Sequence, residues 1–258
     1  MSAQPIFLNS AYVRAPERLV LRGGRRNTLR IPVRYGVFTH PRIGLCLIDT
    51  GYTRRVTHGA RSLPLALYAA LLGPDLQTDA LVGDEAVAAI LLTHLHADHV
   101  AALRDFPEAV IYAAGAGVDH YLSASAFARV RHGVFSELLP RDFAGRVRRY
   151  EDGAACEAPH GLGPARDVFG DGEVFAVPLP GHMRGHTGLV WPKLDPPLLY
   201  AADAQWLARA VMEDRAPGAP ARWIMDDLEA DAETRQRIAA FVRAGGKAVY
   251  CHDPEPLA

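Results

Sequence analysis

The sequence predicts a mixed α/β fold. Short apolar runs of strand length alternate with segments of helical spacing along the whole chain. No internal repeat or low-complexity tract interrupts them, and the residues best suited to chemistry fall at or just after predicted strand ends. The 258 residues, 49% hydrophobic and 22% charged, can bury a sizeable core. They are read as one domain spanning 1–258.

Ile31 to Phe38 and Ile43 to Ile48 are rich in Val, Ile and Leu, with Thr39-His40-Pro41-Arg42 between them, a pattern of two paired strands around a tight turn. The second run leads into Asp49-Thr50-Gly51, where the glycine signals a change of direction. Val87 to Thr93 reads as a buried strand, and Val100 to Leu103 as the start of a helix. Phe127 to Leu139 has helical spacing weakened by Gly133, and Pro140 stops it. Tyr150 to Asp171, rich in Gly, Pro and acidic residues, reads as loop. Strands are expected at Glu173 to Leu179 and at Leu198 to Ala202. Ala232 to Ala244 is expected to be a helix, with Ile238, Phe241 and Val242 on one face and Gly245-Gly246 as its stop. A final strand, Lys247 to Tyr250, delivers Cys251-His252-Asp253.

Composition narrows the function. Lys plus Arg is 28 and Asp plus Glu is 29, so a net charge of -1 gives no electrostatic reason to expect nucleic acid or an anionic membrane as partner. The basic clusters at Arg22, Arg25 and Arg26 and at Arg146, Arg148 and Arg149 are short and read as solvated faces. Cys46, Cys156 and Cys251 lie far apart and form no CxxC pair, which argues against a disulfide framework or a thiolate zinc site. Met1-Ser2-Ala3-Gln4-Pro5 lacks the basic and apolar regions of a signal peptide, and no apolar run is long enough to span a membrane. The expected location is the cytoplasm.

Thr93-His94-Leu95-His96-Ala97-Asp98-His99 is the strongest chemical signal. In extended backbone, residues two apart point the same way, so His94 and His96 can bind one ion together. Asp98 and His99 follow as the chain turns, in a direction that suits a second ion. Neutral imidazole and carboxylate are ligands that zinc accepts at neutral pH. Pro180-Gly181-His182-Met183-Arg184-Gly185-His186 offers one more histidine at a strand end, and spacing alone leaves both His182 and His186 open. Asp49, Asp203 and His252 taken singly would be turn or surface residues. They gain weight as a set, because a two-metal site needs about six or seven ligands. His40, His58, His120, His132 and His160 lack ligand partners in the sequence, and Cys251 is expected to be a buried thiol facing away from His252.

The order of these motifs resembles the metallo-β-lactamase superfamily: Leu47-Ile48-Asp49-Thr50-Gly51, the His94 to His99 run, Pro180-Gly181-His182, Asp203 and His252. The resemblance implies a four-layer αβ/βα sandwich with two zinc ions at one edge between its sheets, iron or manganese being open alternatives. It implies that His94, His96 and His182 hold one ion, that Asp98, His99 and His252 hold the other, and that Asp203 bridges them. Asp49 and His186 take supporting roles beneath the ligands. Within the superfamily the chain is similar to the N-acyl-homoserine lactonases. Those enzymes place a tyrosine three residues after the bridging aspartate, and here that position is Trp206, whose indole N–H can donate a hydrogen bond but cannot act as a phenolic acid.

The expected activity is hydrolysis of a lactone or carboxylic ester by attack of a metal-bridging hydroxide, with Asp98 and Asp203 as the catalytic carboxylates. Hydrolysis of a phosphate ester or organophosphate on the same site is the first alternative, and a non-catalytic metal-bound sensor the second. Tyr52, Tyr68, Trp206 and Trp223 are candidates for the wall of a small-molecule pocket. The oligomeric state is left open, a homodimer being one arrangement.

Overall fold

The computed structural model describes residues 4–219 and 221–255. Met1, Ser2 and Ala3, part of the start read as lacking a leader, lie outside the described residues. Among the described residues, thirteen strands form two sheets. The first comprises β1 (Ile6–Pro16), β2 (Thr28–His40), β3 (Gly44–Ile48), β4 (Asp75–Leu76), β5 (Val87–Leu91), β6 (Val110–Ala113) and β7 (Val147–Arg149), in the order β4-β1-β2-β3-β5-β6-β7. The second comprises β8 (Ala154–Ala158), β9 (Gly163–Asp167), β10 (Phe175–Pro178), β11 (Thr187–Trp191), β12 (Leu198–Ala202) and β13 (Lys247–Tyr250), in the order β13-β12-β11-β10-β9-β8.

The sheets pack face to face through large rings. Phe7 of β1 stacks on Tyr200 of β12 with centroids 4.8 Å apart, and Phe38 of β2 meets Trp191 of β11 edge-on at 5.6 Å. Helices cover the outer faces. Ile238 and Phe241 of the helix Leu228–Arg243 pack on Val177, Val190, Leu199 and Ala201 from the outer side of the second sheet. That helix starts where Asp227 accepts from the Glu229 and Ala230 amides at 2.9 and 3.0 Å, and it ends before Gly245 at φ +98°. The arrangement is the αβ/βα sandwich, with its core between and around the sheets.

Strand direction places the chemistry. β3, β5, β6 and β7 run parallel, so the chain leaves β3 at Asp49 and β5 at Thr93 on the same edge. β10 and β12 both pair antiparallel to β11, and β13 runs parallel to β12. The residues following β10, β12 and β13 therefore also share one edge. The C-terminal ends of these strands supply every residue of the motifs.

Several elements differ from their sequence-based expectation. The motif residues themselves take the helical turn, at Ala97–Val100, ahead of the expected start; a 3-10 turn follows at Leu103–Asp105. The 127–139 segment divides into the helix Ala126–Arg131 and the turn Ser136–Leu138, because Gly133 sits at φ +70°. The stretch read as loop from Tyr150 holds the hairpin β8–β9, pairing Ala154 with Asp167 through Ala158 with Gly163. It lies at the sheet edge, largely wetted on both faces, so its residues carry no apolar alternation for a pattern reading to find. β1 was unforeseen for a related reason: a bulge between Asn9 and Ala11 breaks its period.

Candidate metal centre

Backbone positions of positive φ aim three of the ligand-bearing loops. Asp49 leaves β3 at φ +55°, and Gly51 follows at φ +51°, where a Cβ would lie 2.3 Å from Ser10 Oγ. Gly181 adopts φ +131° against the backbone of Asp231, where a Cβ would come within 2.4 Å of its Cα, so only glycine lets the chain bring His182 inward there. Ala202 precedes Asp203 at φ +46°, a conformation that costs a non-glycine residue about 1–3 kcal/mol and is held by the packing around it.

The His94, His96 and His182 rings converge. His94 Nε2 and His182 Nε2 each lie 3.0 Å from His96 Nδ1, close to the spacing of nitrogens around a shared ion. Burial holds the His94 and His182 imidazoles well below the usual histidine range, reinforced by neighbouring histidines. Burial likewise brings His96 down to about 4, against the pull of Asp98. All three are neutral at neutral pH, with lone pairs available.

His99, Asp98, Asp203 and His252 form a second cluster. His252 Nε2 lies 3.1 Å from Asp203 Oδ2 and 3.3 Å from Asp98 Oδ2. His99 Nε2 lies 3.5 Å from Asp203 Oδ1 and 3.7 Å from Asp98 Oδ2. Asp203 also reaches the first cluster, its Oδ2 standing 3.6 Å from His182 Nε2. Burial alone would raise the Asp203 carboxyl, but His252 and His99 hold it well below the usual range. Burial alone would lower His252, but Asp203 and its neighbours push it well up.

The surrounding hydrogen bonds fix which nitrogens face the clusters. Thr93 Oγ1 gives its single proton to Asp49 Oδ2 at 2.8 Å, so it accepts from His94 Nδ1 at 3.0 Å, leaving His94 Nε2 without a proton. His99 Nδ1 donates to Asp49 Oδ2 at 2.8 Å, and His252 Nδ1 donates to the Pro32 carbonyl at 2.8 Å. Each of these histidines thus directs its Nε2 toward the cluster, bare in His94 and, with no metal bound, protonated in His99 and His252, where the carboxylates favour the proton that a metal ion would displace. His99 Nε2 and Asp203 Oδ1 are buried with no hydrogen-bond partner. A cation satisfies both, so these residues fit metal ions. His182 is the exception to the pattern, its Nδ1 being buried and unpartnered too.

The same accounting separates His182 from His186. His186 donates from Nδ1 to the Leu179 carbonyl at 3.1 Å and accepts the Asp203 amide on Nε2 at 3.2 Å. Both of its nitrogens are used, and its bond to the Asp203 backbone positions that carboxylate. Asp49 accepts the Thr93 amide at 2.8 Å as well, beneath the ligands.

Around the clusters, Tyr52 and Tyr68 share a hydroxyl–hydroxyl bond of 2.6 Å, and Tyr68 packs its ring 5.0 Å from that of Phe135. Burial, with Asp98 nearby, pushes both phenols up, so they stay protonated. Trp206 donates Nε1 to Asp203 Oδ2 at 3.3 Å, its ring 5.9 Å from that of His182. Trp223 differs from the buried aromatic residues. It is 75% exposed on a 3-10 turn at Ala221–Ile224, and among the described residues its ring makes no contact with either cluster, although the Asp226 amide three residues on meets the His182 carbonyl at 3.3 Å.

Three contributors were missed. Thr93 links Asp49 to two ligands. Arg34, buried, donates to the carbonyls of Tyr250 and Asp253 at 3.0 and 2.5 Å and so clamps the segment carrying His252. Cys251 is a buried thiol as expected, but its sulfur lies within 4.8 Å of ligand atoms of His99, Asp203 and His252, while Cys251 Sγ also donates to the Arg34 carbonyl at 3.4 Å. Neither Arg34 nor Cys251 carries a sequence signal of this placement.

Residues 44–244 match the model of the metallo-β-lactamase superfamily. The chain belongs to that superfamily. Its sandwich is the metallo-β-lactamase fold. An N-acyl homoserine lactonase, AttM of Rhizobium johnstonii, is 28% identical over 235 residues, covering 87% of this chain and 82% of that protein. A probable metallo-hydrolase of Mycobacterium tuberculosis is 34% identical over 105 residues, 39% of this chain, which spans only 31% of that protein's length. Among solved structures, a mutant AiiA of B. thuringiensis with N-decanoyl-L-homoserine bound at its active site superposes with a TM-score of 0.73 at 17% identity, over 98% of this chain and 95% of that one. AbOPH, described as a hydrolase in the β-lactamase superfamily, gives 0.60 at 17% identity over 98% and 88%. No helix among the described residues is long and apolar enough to cross a membrane.

Proposed function

We propose that this chain is a dinuclear-zinc hydrolase of a lactone or carboxylic ester, of the N-acyl-homoserine-lactone type, acting as one catalytic domain over 1–258. The observation that carries the reading is the Asp203 carboxylate, whose oxygens stand within 3.6 Å of His182 in one cluster and of His99 and His252 in the other. His94, His96 and His182 would hold one ion; Asp98, His99 and His252 would hold the second; Asp203 would serve both.

When bound, such ions supply Lewis acidity and lower the pKa of a bound water. The chain's own part is orientation and proton handling. Asp49, Thr93, Pro32 and Leu179 fix the tautomers of His94, His99, His252 and His186. The Tyr52–Tyr68 pair contains two hydroxyl protons, of which their mutual bond uses one, so one phenol is free to donate to a substrate carbonyl. Asp98 and Asp203 are the carboxylates placed to carry a proton to the leaving oxygen. AttM, an N-acyl homoserine lactonase, aligns over 87% of the chain and supports the substrate class.

The test couples elemental analysis of the purified protein with turnover of an acyl-homoserine lactone, an aryl ester and an aryl phosphate. Two equivalents of zinc with preference for the lactone or ester is the expected result. Preference for the aryl phosphate transfers the site to phosphoester chemistry. Two bound metals with no turnover of any substrate makes the chain a metal-bound sensor.

A further inference from the structure

Outside the metal centre the structure contains a cavity with a marked chemical bias. It has a volume of about 390 Å³, within the range of small-molecule sites, and its walls include Arg54, Arg55, His58, Arg61 and Arg104. No metal-ligand candidate and no member of the Tyr52–Tyr68 pair lines it. Two of its guanidiniums are neutralised locally. Arg54 Nε pairs with Asp79 at 3.0 Å, and Arg55 Nε with Asp105 at 3.0 Å. The other two are not. Arg61 donates only to the Val56 carbonyl at 2.8 Å, and Arg104 only to the Glu137 carbonyl at 3.0 Å.

The carboxylate in the wall, Glu137, is turned to Ser62 and keeps its negative charge, which Arg61 and Arg104 together outnumber. Glu137 accepts from the Ser62 amide at 3.1 Å and from its hydroxyl at 2.8 Å. Arg61 Nε is itself buried with no hydrogen-bond partner and out of reach of the cavity, so a ligand there meets the terminal nitrogens of Arg61 and Arg104. Buried Leu65 and Leu138 complete the wall with apolar surface. Guanidinium forks match the paired oxygens of carboxylates and phosphates, so the unmet donors specify an oxyanion.

We propose that this cavity is a binding site for a small oxyanion, a carboxylate or phosphate, held by Arg61 and Arg104. The apolar wall favours a ligand with a short hydrocarbon part. The site owes nothing to the metal centre, so the proposal stands apart from the hydrolase reading.

The experiment is a proton–nitrogen NMR titration of the zinc-loaded protein with inorganic phosphate, acetate and hexanoate, at ionic strength matched with chloride. The expected result is saturable movement of the Arg61 Nε–H signal and of amides 54–61, 104 and 137–138, by phosphate or by the carboxylates. Hexanoate binding above acetate identifies the apolar carboxylate as the ligand type, and phosphate binding above both identifies the phosphate. In the Arg61→Gln/Arg104→Gln double variant, affinity falls by about tenfold or more while ester turnover is unchanged. Absence of saturable shifts at these positions for all three probes overturns the proposal, as does equal affinity in a folded double variant.

Discussion

Trp206 commits its one hydrogen-bond donor to Asp203, Nε1 to Oδ2 at 3.3 Å. An indole so engaged orients the carboxylate shared by the two clusters and leaves no N–H for a substrate. Trp206→Phe keeps an aromatic ring and removes that donor. Metal content is expected to stay at the wild-type value while kcat/KM falls by about tenfold, the scale of one hydrogen bond to a charged acceptor. Elemental analysis beside steady-state kinetics checks this; unchanged kcat/KM would show that the contact does not matter to turnover.

His182 and His186, four residues apart in sequence, have opposite hydrogen-bond accounts. His182→Ala removes a bare nitrogen from a three-imidazole cluster and is expected to lower the metal content by about one equivalent and turnover by more than about a hundredfold. His186→Gln leaves every proposed ligand in place and should retain the metal. Metal analysis of the two variants, prepared side by side, decides: equal stoichiometry in both would overturn the ligand assignment.

Much of this was legible because the signal is local. The His94 to His99 spacing puts four donors on one turn of chain, and Lys247 to Tyr250 forms the strand its composition suggests. What was hidden depends on contacts across the fold. Arg34 meets the Tyr250 carbonyl from 216 positions away. The choice between His182 and His186 rests on the Asp203 amide, which no spacing reveals. The exposure of Trp223 likewise depends on packing that its sequence neighbours do not reveal. The Arg61–Arg104 cavity joins two segments whose charges, read in sequence, belong to unrelated stretches.

Asp49 offers a clean test of support beneath the ligands. It accepts from Thr93 twice and from His99, all at 2.8 Å. Asn tolerates the φ of +55° that Asp49 adopts, so Asp49→Asn changes the charge without straining the turn. Metal affinity is expected to fall about 10–100-fold. Competition with a chromophoric chelator measures it, and an affinity within about twofold of wild type would sink the role assigned to this carboxylate.

His186 gives the pH prediction. Burial lowers its imidazole to about 4 from an unfolded value of 6.5, and a proton on Nε2 would also displace the Asp203 amide that this nitrogen accepts. Between those values the unfolded chain binds the proton and the folded chain does not, so stability falls as pH falls. The slope from this one group approaches about 1.4 kcal/mol per pH unit inside the window and vanishes above it. His186→Gln has no proton to take up there. Urea unfolding of the metal-free proteins at pH 7.5 and pH 5 is therefore expected to show a larger loss of stability for wild type than for His186→Gln. Equal losses would mean that His186 titrates alike in both states, and that its two hydrogen bonds do not hold it neutral.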